Sequence, residues 1–232
     1  MQLLDNRIIS FYTTSSDGNM AYYTTDNKDE VTKNREQIAL KYGFDIGQLR
    51  YMNQVHGNNI QIVDSESPSL IMECDGIITN KKNLPLMVQI ADCIGILFYD
   101  TKKQVIAAAH AGRNGTFLNI SSKILNKMRE SFDSNPEDIK VTLSPSIQKC
   151  CYEVDIDMAN LVKNNFGEEF VDNRHIDLQG INKIQLLQNG VKDKNIHISY
   201  TCTKCSQEPY FSYRNNPNCG RFSGVIMLKD YK

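Results

Sequence analysis

Three apolar runs follow one another with almost nothing between them: Met87-Val88-Gln89-Ile90, Ile94-Gly95-Ile96-Leu97-Phe98-Tyr99 and Val105-Ile106-Ala107-Ala108-Ala109. Short β-rich runs of this kind, bounded by small and turn-forming residues, read as buried strands. Two of them deliver a chemically active side chain at their ends. The first runs into Ala91-Asp92-Cys93 and the third into His110-Ala111-Gly112. A third segment, Asn53-Gln54-Val55-His56-Gly57, has the same character. Gly57 follows His56 directly and Gly112 follows His110 at an interval of two. Glycine removes Cβ bulk where a backbone turns sharply or approaches a ligand. A lone buried cysteine is ordinarily a small hydrophobe. Histidine and cysteine together at strand ends beside glycine fit a site better than they fit packing.

Two imidazoles and a thiolate form a ligand set suited to Zn²⁺, and three protein ligands leave a fourth position for water or substrate. His56, Cys93 and His110 are therefore the expected metal ligands and catalytic residues. A metal in such a site lowers the pKa of bound water from 15.7 to about 7, which supplies hydroxide at neutral pH. The same residues also suit a cysteine hydrolase, with Cys93 as nucleophile and His110 or His56 as base, because a nearby imidazolium lowers a thiol pKa. An anionic substrate group would call for the planar fork of arginine. Arg35, Arg214 and Arg221 are candidates, the last two bracketing a turn-rich Asn215-Asn216-Pro217-Asn218 loop. Gln54 is read as touching substrate or satisfying the backbone. Asp75 and Asp92 are read as orienting a ligand histidine from behind or capping a turn. His175 and His197 are read as structural.

The 26 lysines and arginines against 27 acidic residues leave a net charge of −1, which gives no reason to expect nucleic acid or an anionic membrane as partner. No apolar run approaches the roughly 20 residues that span a bilayer. The start, Met1-Gln2-Leu3-Leu4-Asp5, lacks the charged-then-apolar plan of an export signal, so a cytoplasmic protein is expected. Seven cysteines are an odd number, unsuited to a complete disulfide framework, and reduced thiols are expected. Cys74, Cys150, Cys151 and Cys219 are read as structural. Cys202-Thr203-Lys204-Cys205 is a CxxC, but a zinc ribbon wants a second such pair and the sequence holds none. With no repeat or linker-like stretch, residues 1–232 are expected to form one catalytic domain; homo-oligomer formation is left open.

Helices are expected over 31–42, ended by Gly43, over 117–130 with Thr116 as cap, over 158–166, and over 181–189 with Gly190 at C′. Strands are expected near 49–52, 59–63, 76–79, 87–90, 94–99, 105–109, 139–143, 196–200 and 223–228. Helices interrupt strands irregularly, which favours layered α+β over a doubly wound parallel sheet.

A series of short blocks in order along the chain resembles a known family. They are Gln54-Val55-His56-Gly57, Asp75-Gly76-Ile77-Ile78-Thr79, Ala91-Asp92-Cys93, His110-Ala111-Gly112, Ser144-Pro145-Ser146-Ile147, Cys151-Tyr152-Glu153-Val154, Phe211-Ser212-Tyr213-Arg214 and Gly220-Arg221. The resemblance is to the zinc-dependent purine nucleoside phosphorylases, formerly described as a multicopper polyphenol oxidase or laccase domain. It implies a four-layer α/β/β/α sandwich. It implies phosphorolysis of adenosine, inosine and methylthioadenosine, adenosine deamination, and purine nucleosides and phosphate as partners. It also supports Arg35 and Arg214 as anion-binding positions, Cys202 as a packing residue and Cys205 as incidental. A peptidoglycan-precursor editing role, also attached to this family, is a variant of the hydrolase reading. A multicopper centre needs many histidines, whereas this chain has four, two of them already in the expected triad. Departures from the family pattern are Arg113 in place of a tryptophan after His-Ala-Gly, Ser144 and Gln148 in place of glycines, and no arginine within Phe11-Tyr12-Thr13-Thr14-Ser15. The first removes an aromatic wall expected to stack on a base.

Overall fold

A computed structural model describes residues 5–230; Met1-Gln2-Leu3-Leu4, on which the expected lack of an export signal rests, lies outside them. The first of two large sheets joins, in spatial order, β1 (Ile8–Tyr12), β13 (Phe222–Leu228), β6 (Leu86–Ile90), β2 (Arg50–Met52) and β4 (Leu70–Ile71). The second joins β12 (Ile196–Ile198), β9 (Ile139–Leu143), β7 (Ile94–Asp100), β8 (Val105–Ala111), β5 (Gly76–Thr79) and β3 (Ile60–Ile62). A small ribbon pairs β10 (Val171–Asp172) with β11 (His175–Ile176). The helices are α1 (Lys28–Tyr42), α2 (Arg113–Phe117), α3 (Ile120–Phe132), α4 (Ile156–Phe166) and α5 (Leu178–Gln188).

Three apolar clusters glue the layers. Ile38 and Ala39 of α1 pack on Phe11, Met87 and Val225 of the first sheet. Leu86, Val88 and Ile90 meet Leu97, Tyr99 and Ile106 between the sheets. Ile124, Leu125, Met128 and Ile181 cover Ile96, Phe98 and Ala107 on the far side. The result is the α/β/β/α order that the family resemblance implies. It also explains the unbroken apolar runs: every residue of β7 and β8 is buried, because both faces of these strands are covered. Alternation assigns the faces. Ile94, Ile96 and Phe98 turn to the helices, while Leu97 and Tyr99 turn to the other sheet. His110 shares the parity of Ile106 and Ala108, which belong to the inter-sheet cluster.

Local chemistry sets the helix ends. Gly43 closes α1 at φ 73°, its N–H donating to the Ala39 carbonyl at 2.8 Å, and Gly190 follows α5 at φ 92°. Two helices begin earlier than expected because an aspartate caps each: Asp155 accepts from the Met158 N–H and Asp177 from the Gly180 N–H. The expected helix over 117–130 is divided. Gly112 is the N-cap of α2, Thr116 is buried within it rather than capping, and Asn119 at φ 57° turns the chain before α3. Asparagine tolerates that left-handed conformation better than most residues. β1, β4 and the β10–β11 ribbon are additional to the expected strands.

Candidate metal centre and cleft

The chain crosses between the sheets several times at one end, and two of these crossings carry a donor. The segment from β2 to β3 holds His56, and the three-residue turn from β6 to β7 holds Cys93. His110 lies one residue from the end of β8, opposite Gly95 of β7. One ligand atom from each of the three residues lies within 4.8 Å of the other two. The two imidazoles meet edge-on, with ring centroids 4.8 Å apart and planes at 82°. Both crossings require left-handed backbone at a non-glycine residue, φ 58° at His56 and 78° at Asp92. Such conformations cost on the order of 1–3 kcal/mol each and persist only where the surroundings enforce them.

Asp75, immediately before β5, supplies that enforcement for His56. Its carboxylate accepts the backbone N–H groups of Val55, His56 and Gly57 at 3.2, 3.0 and 2.7 Å. It also pairs with His110 Nδ1 at 2.8 Å, while the Asp75 carbonyl accepts the His110 N–H at 2.7 Å. One carboxylate thereby fixes two of the donors and leaves Nε2 of His110 free for a metal. Gly112 keeps the corner open: a Cβ there would lie 3.0 Å from Cys93 Sγ and 3.2 Å from His56 Cδ2.

Burial pushes the Cys93 thiol up, yet the facing His110 charge and hydrogen bonds from His110 and His56 override it and hold the thiol down at about 6. Burial likewise disfavours a charged His110, but the Cys93 thiolate and the Asp75 carboxylate hold it up at about 9. Asp75 is kept below its ordinary value, against burial, by His110 and the backbone donors. The donor set, the backing carboxylate and the open corner fit a divalent ion.

The triad forms the floor of a cleft of about 720 Å³. Gln54, Asp92, Arg214 and Arg221 of the expected site residues line it. Gln54 spends its amide on the backbone, donating to the Gln89 carbonyl and accepting the Gln89 N–H, both at 2.8 Å. Asp92 does not back a histidine; it accepts Thr203 Oγ1 and the Arg214 N–H at 2.7 Å each, docking the 203–214 loop. Arg35 is not in the cleft wall. It is buried, donates twice to the Met20 carbonyl and lies between the rings of Tyr22 and Tyr51, at 4.1 and 4.2 Å. Its place on the buried face of α1 gives it this structural role.

Among the charged and aromatic residues of the cleft, sequence reasoning missed four. Arg113, noted only as a departure from a tryptophan, joins Arg214 and Arg221 in the lining, and no described acceptor engages its guanidinium. Tyr23, Tyr152 and Tyr213 supply the aromatic surface that the absent tryptophan left open. Arg214 lies 5.1 Å from the Tyr152 ring centre, and Arg221 lies 5.8 and 5.9 Å from those of Tyr23 and Tyr213. Tyr152 and Tyr213 stand inside the family blocks, which was the one available signal. Cys150 and Cys151, read as structural, and Cys205, read as incidental, come together in the fold: their sulfurs and that of Cys202 all lie within 4.8 Å of one another.

The family model described as multi-copper polyphenol oxidoreductase laccase matches residues 10–229. A Bacillus subtilis protein named purine nucleoside phosphorylase YlmD is 29% identical over 251 residues, spanning 97% of this chain and 90% of the relative. Streptomyces griseus purine nucleoside phosphorylase ORF3 is 32% identical over 209 residues, spanning 88% and 83%. The crystal structure of YlmD from Geobacillus stearothermophilus superposes with a TM-score of 0.89 at 26% identity, covering 97% of this chain and 93% of that one. With the match running through every block that builds the cleft, the chain belongs to the multi-copper polyphenol oxidoreductase laccase family, several of whose members bear the name purine nucleoside phosphorylase.

Proposed function

We propose that this protein is a zinc-dependent purine nucleoside phosphorylase acting on adenosine, inosine and methylthioadenosine, and that it also deaminates adenosine. The observation carrying this reading is the convergence of His56, Cys93 and His110 with Arg113, Arg214 and Arg221 in one cleft. The names of the relatives support it. The arginines hold phosphate beside the ribose, their forks matching its oxygens. A phosphate oxygen then attacks the anomeric carbon, the glycosidic C–N bond breaks, and its electron pair leaves with the purine. Tyr23, Tyr152 and Tyr213 offer ring faces to base and sugar. Deamination adds water at C6 of adenosine and expels ammonia. Asp75 keeps His110 oriented through its Nδ1 hydrogen bond. A zinc ion held by His56, Cys93 and His110 supplies a Lewis acid at the cleft floor. No described helix is long and apolar enough to cross a membrane, and the cytoplasm is the proposed compartment.

Incubating the purified protein with adenosine, with and without phosphate, tests this. Adenine and ribose 1-phosphate are expected only with phosphate, and inosine in both. No phosphate-dependent base release would end the phosphorylase reading. A second reading rests on the Cys93–His110–Asp75 chain, which is also the arrangement of a cysteine hydrolase. Metal content separates the two: Cys93→Ala removes the zinc held by the triad together with turnover under the first, while turnover without metal in the unaltered protein favours the second.

A further inference from the structure

We infer that Cys150, Cys151, Cys202 and Cys205 form a second metal site, a closed four-thiolate centre for zinc that ties together two walls of the cleft. The four sulfurs lie within 4.8 Å of one another, and Cys150 Sγ is 3.7 Å from Cys205 Sγ. Thiolates at a Zn–S distance of 2.3 Å in a tetrahedron stand about 3.8 Å apart. Packing does not account for the cluster. Cysteine is among the most buried residue types, whereas Cys150 and Cys205 are exposed. All four are free thiols, and Cys150 Sγ stands 3.7 Å from Cys205 Sγ, well beyond the roughly 2.05 Å of a disulfide bond.

The backbone is arranged for the same end. Ser206 N–H donates to the Cys202 carbonyl at 3.0 Å, closing the Cys202–Cys205 turn. Four protein ligands leave no position for substrate, which makes this a structural centre in contrast to the three-ligand corner at the cleft floor. Its two halves lead directly to that cleft. Tyr152 follows Cys151, and Thr203, inside the CxxC, anchors on Asp92 at 2.7 Å.

The test counts metal in protein purified without added zinc. Two equivalents per chain are expected, with one left in Cys93→Ala and one left in Cys202→Ser/Cys205→Ser. Cobalt substituted into Cys93→Ala should give the intense visible bands of a tetrahedral tetrathiolate. Cys205→Ser alone alters an exposed side chain and covers the case in which the double variant fails to fold; it should lose one equivalent to a chelator faster than the parent. A single equivalent that disappears in Cys93→Ala, with the four cysteines titrating as free thiols or mapping as a disulfide, would overturn the inference. None of these readouts depends on nucleoside turnover, so this site stands or falls separately from the proposed reaction.

Discussion

Asp75 accepts hydrogen bonds from Val55, His56, Gly57 and His110, so its carboxylate sets both the backbone of one donor and the ring of another. Asp75→Asn keeps the size but removes the charge and presents an amide to donors. Loss of such an outer partner typically costs 10–100-fold in metal affinity, about what chelator competition should read here. An unchanged affinity would mean that the triad orients itself. The charges make a second prediction. In the metal-free centre, Cys93 is held down at about 6 and His110 up at about 9, so between these values the thiol is ionised and the imidazole protonated. A metal needs both deprotonated, so uptake in that window releases one proton, from His110. Affinity then rises about tenfold per pH unit and levels off once His110 is neutral. Calorimetry on the Cys202→Ser/Cys205→Ser variant, in which only this corner takes metal, in two buffers of different ionisation enthalpy counts the proton; a count of zero contradicts the assignment. His56, Cys93 and His110 were legible in the sequence because each ends or joins a strand beside glycine. The division of labour between Asp75 and Asp92 was not, since His110 Nδ1 is 35 residues from its carboxylate and Thr203 is 111 from its own.

At the scale of elements, α2, α3 and α5 are stitched by one buried amide. Asn182 accepts from Ser121 Oγ at 2.7 Å and donates to Thr116 Oγ1 and the Leu178 carbonyl at 2.9 Å each. Its side chain has no solvent exposure. Asn182→Ala strands two hydroxyls in the interior, and each buried polar group left unpaired costs about 1–3 kcal/mol. Urea unfolding should therefore show a loss in that range with bound metal unchanged in the folded protein. A neutral effect would mean that water replaces the amide. This network also explains why the expected 117–130 helix divides: Thr116 is needed as a partner inside α2, and the chain must turn at Asn119 to send α3 back across β8. The strands of the central sheet were legible because both their faces are apolar. β1 was not, because its pattern gains meaning only from β13, which pairs Ile8 with Leu228 at the other end of the chain.

Over the whole molecule the charges nearly cancel, at −1, yet three arginines meet around one cleft. Arg113 reaches it from the start of α2, Arg214 and Arg221 from the segment before β13, so an anion between them would be gripped from two sides. Arg214→Ala drops the guanidinium hydrogen bond to the Glu153 carbonyl but keeps the backbone N–H that Asp92 accepts and the Thr203 anchor, so the loop should stay docked. Arg113→Ala removes a guanidinium with no described protein acceptor, so the fold loses little. Each substitution should raise the phosphate KM about tenfold or more, equivalent to about 1.4 kcal/mol or more of binding. Adenosine deamination, which uses no phosphate, should change far less. If both arginines touch the same anion, the double variant will lose less than the two single losses added together. Steady-state rates with phosphate varied, alongside inosine formation without it, decide the matter. Equal losses in the two reactions would assign the arginines to cleft shape instead, and strictly additive losses would mean that they grip separate groups.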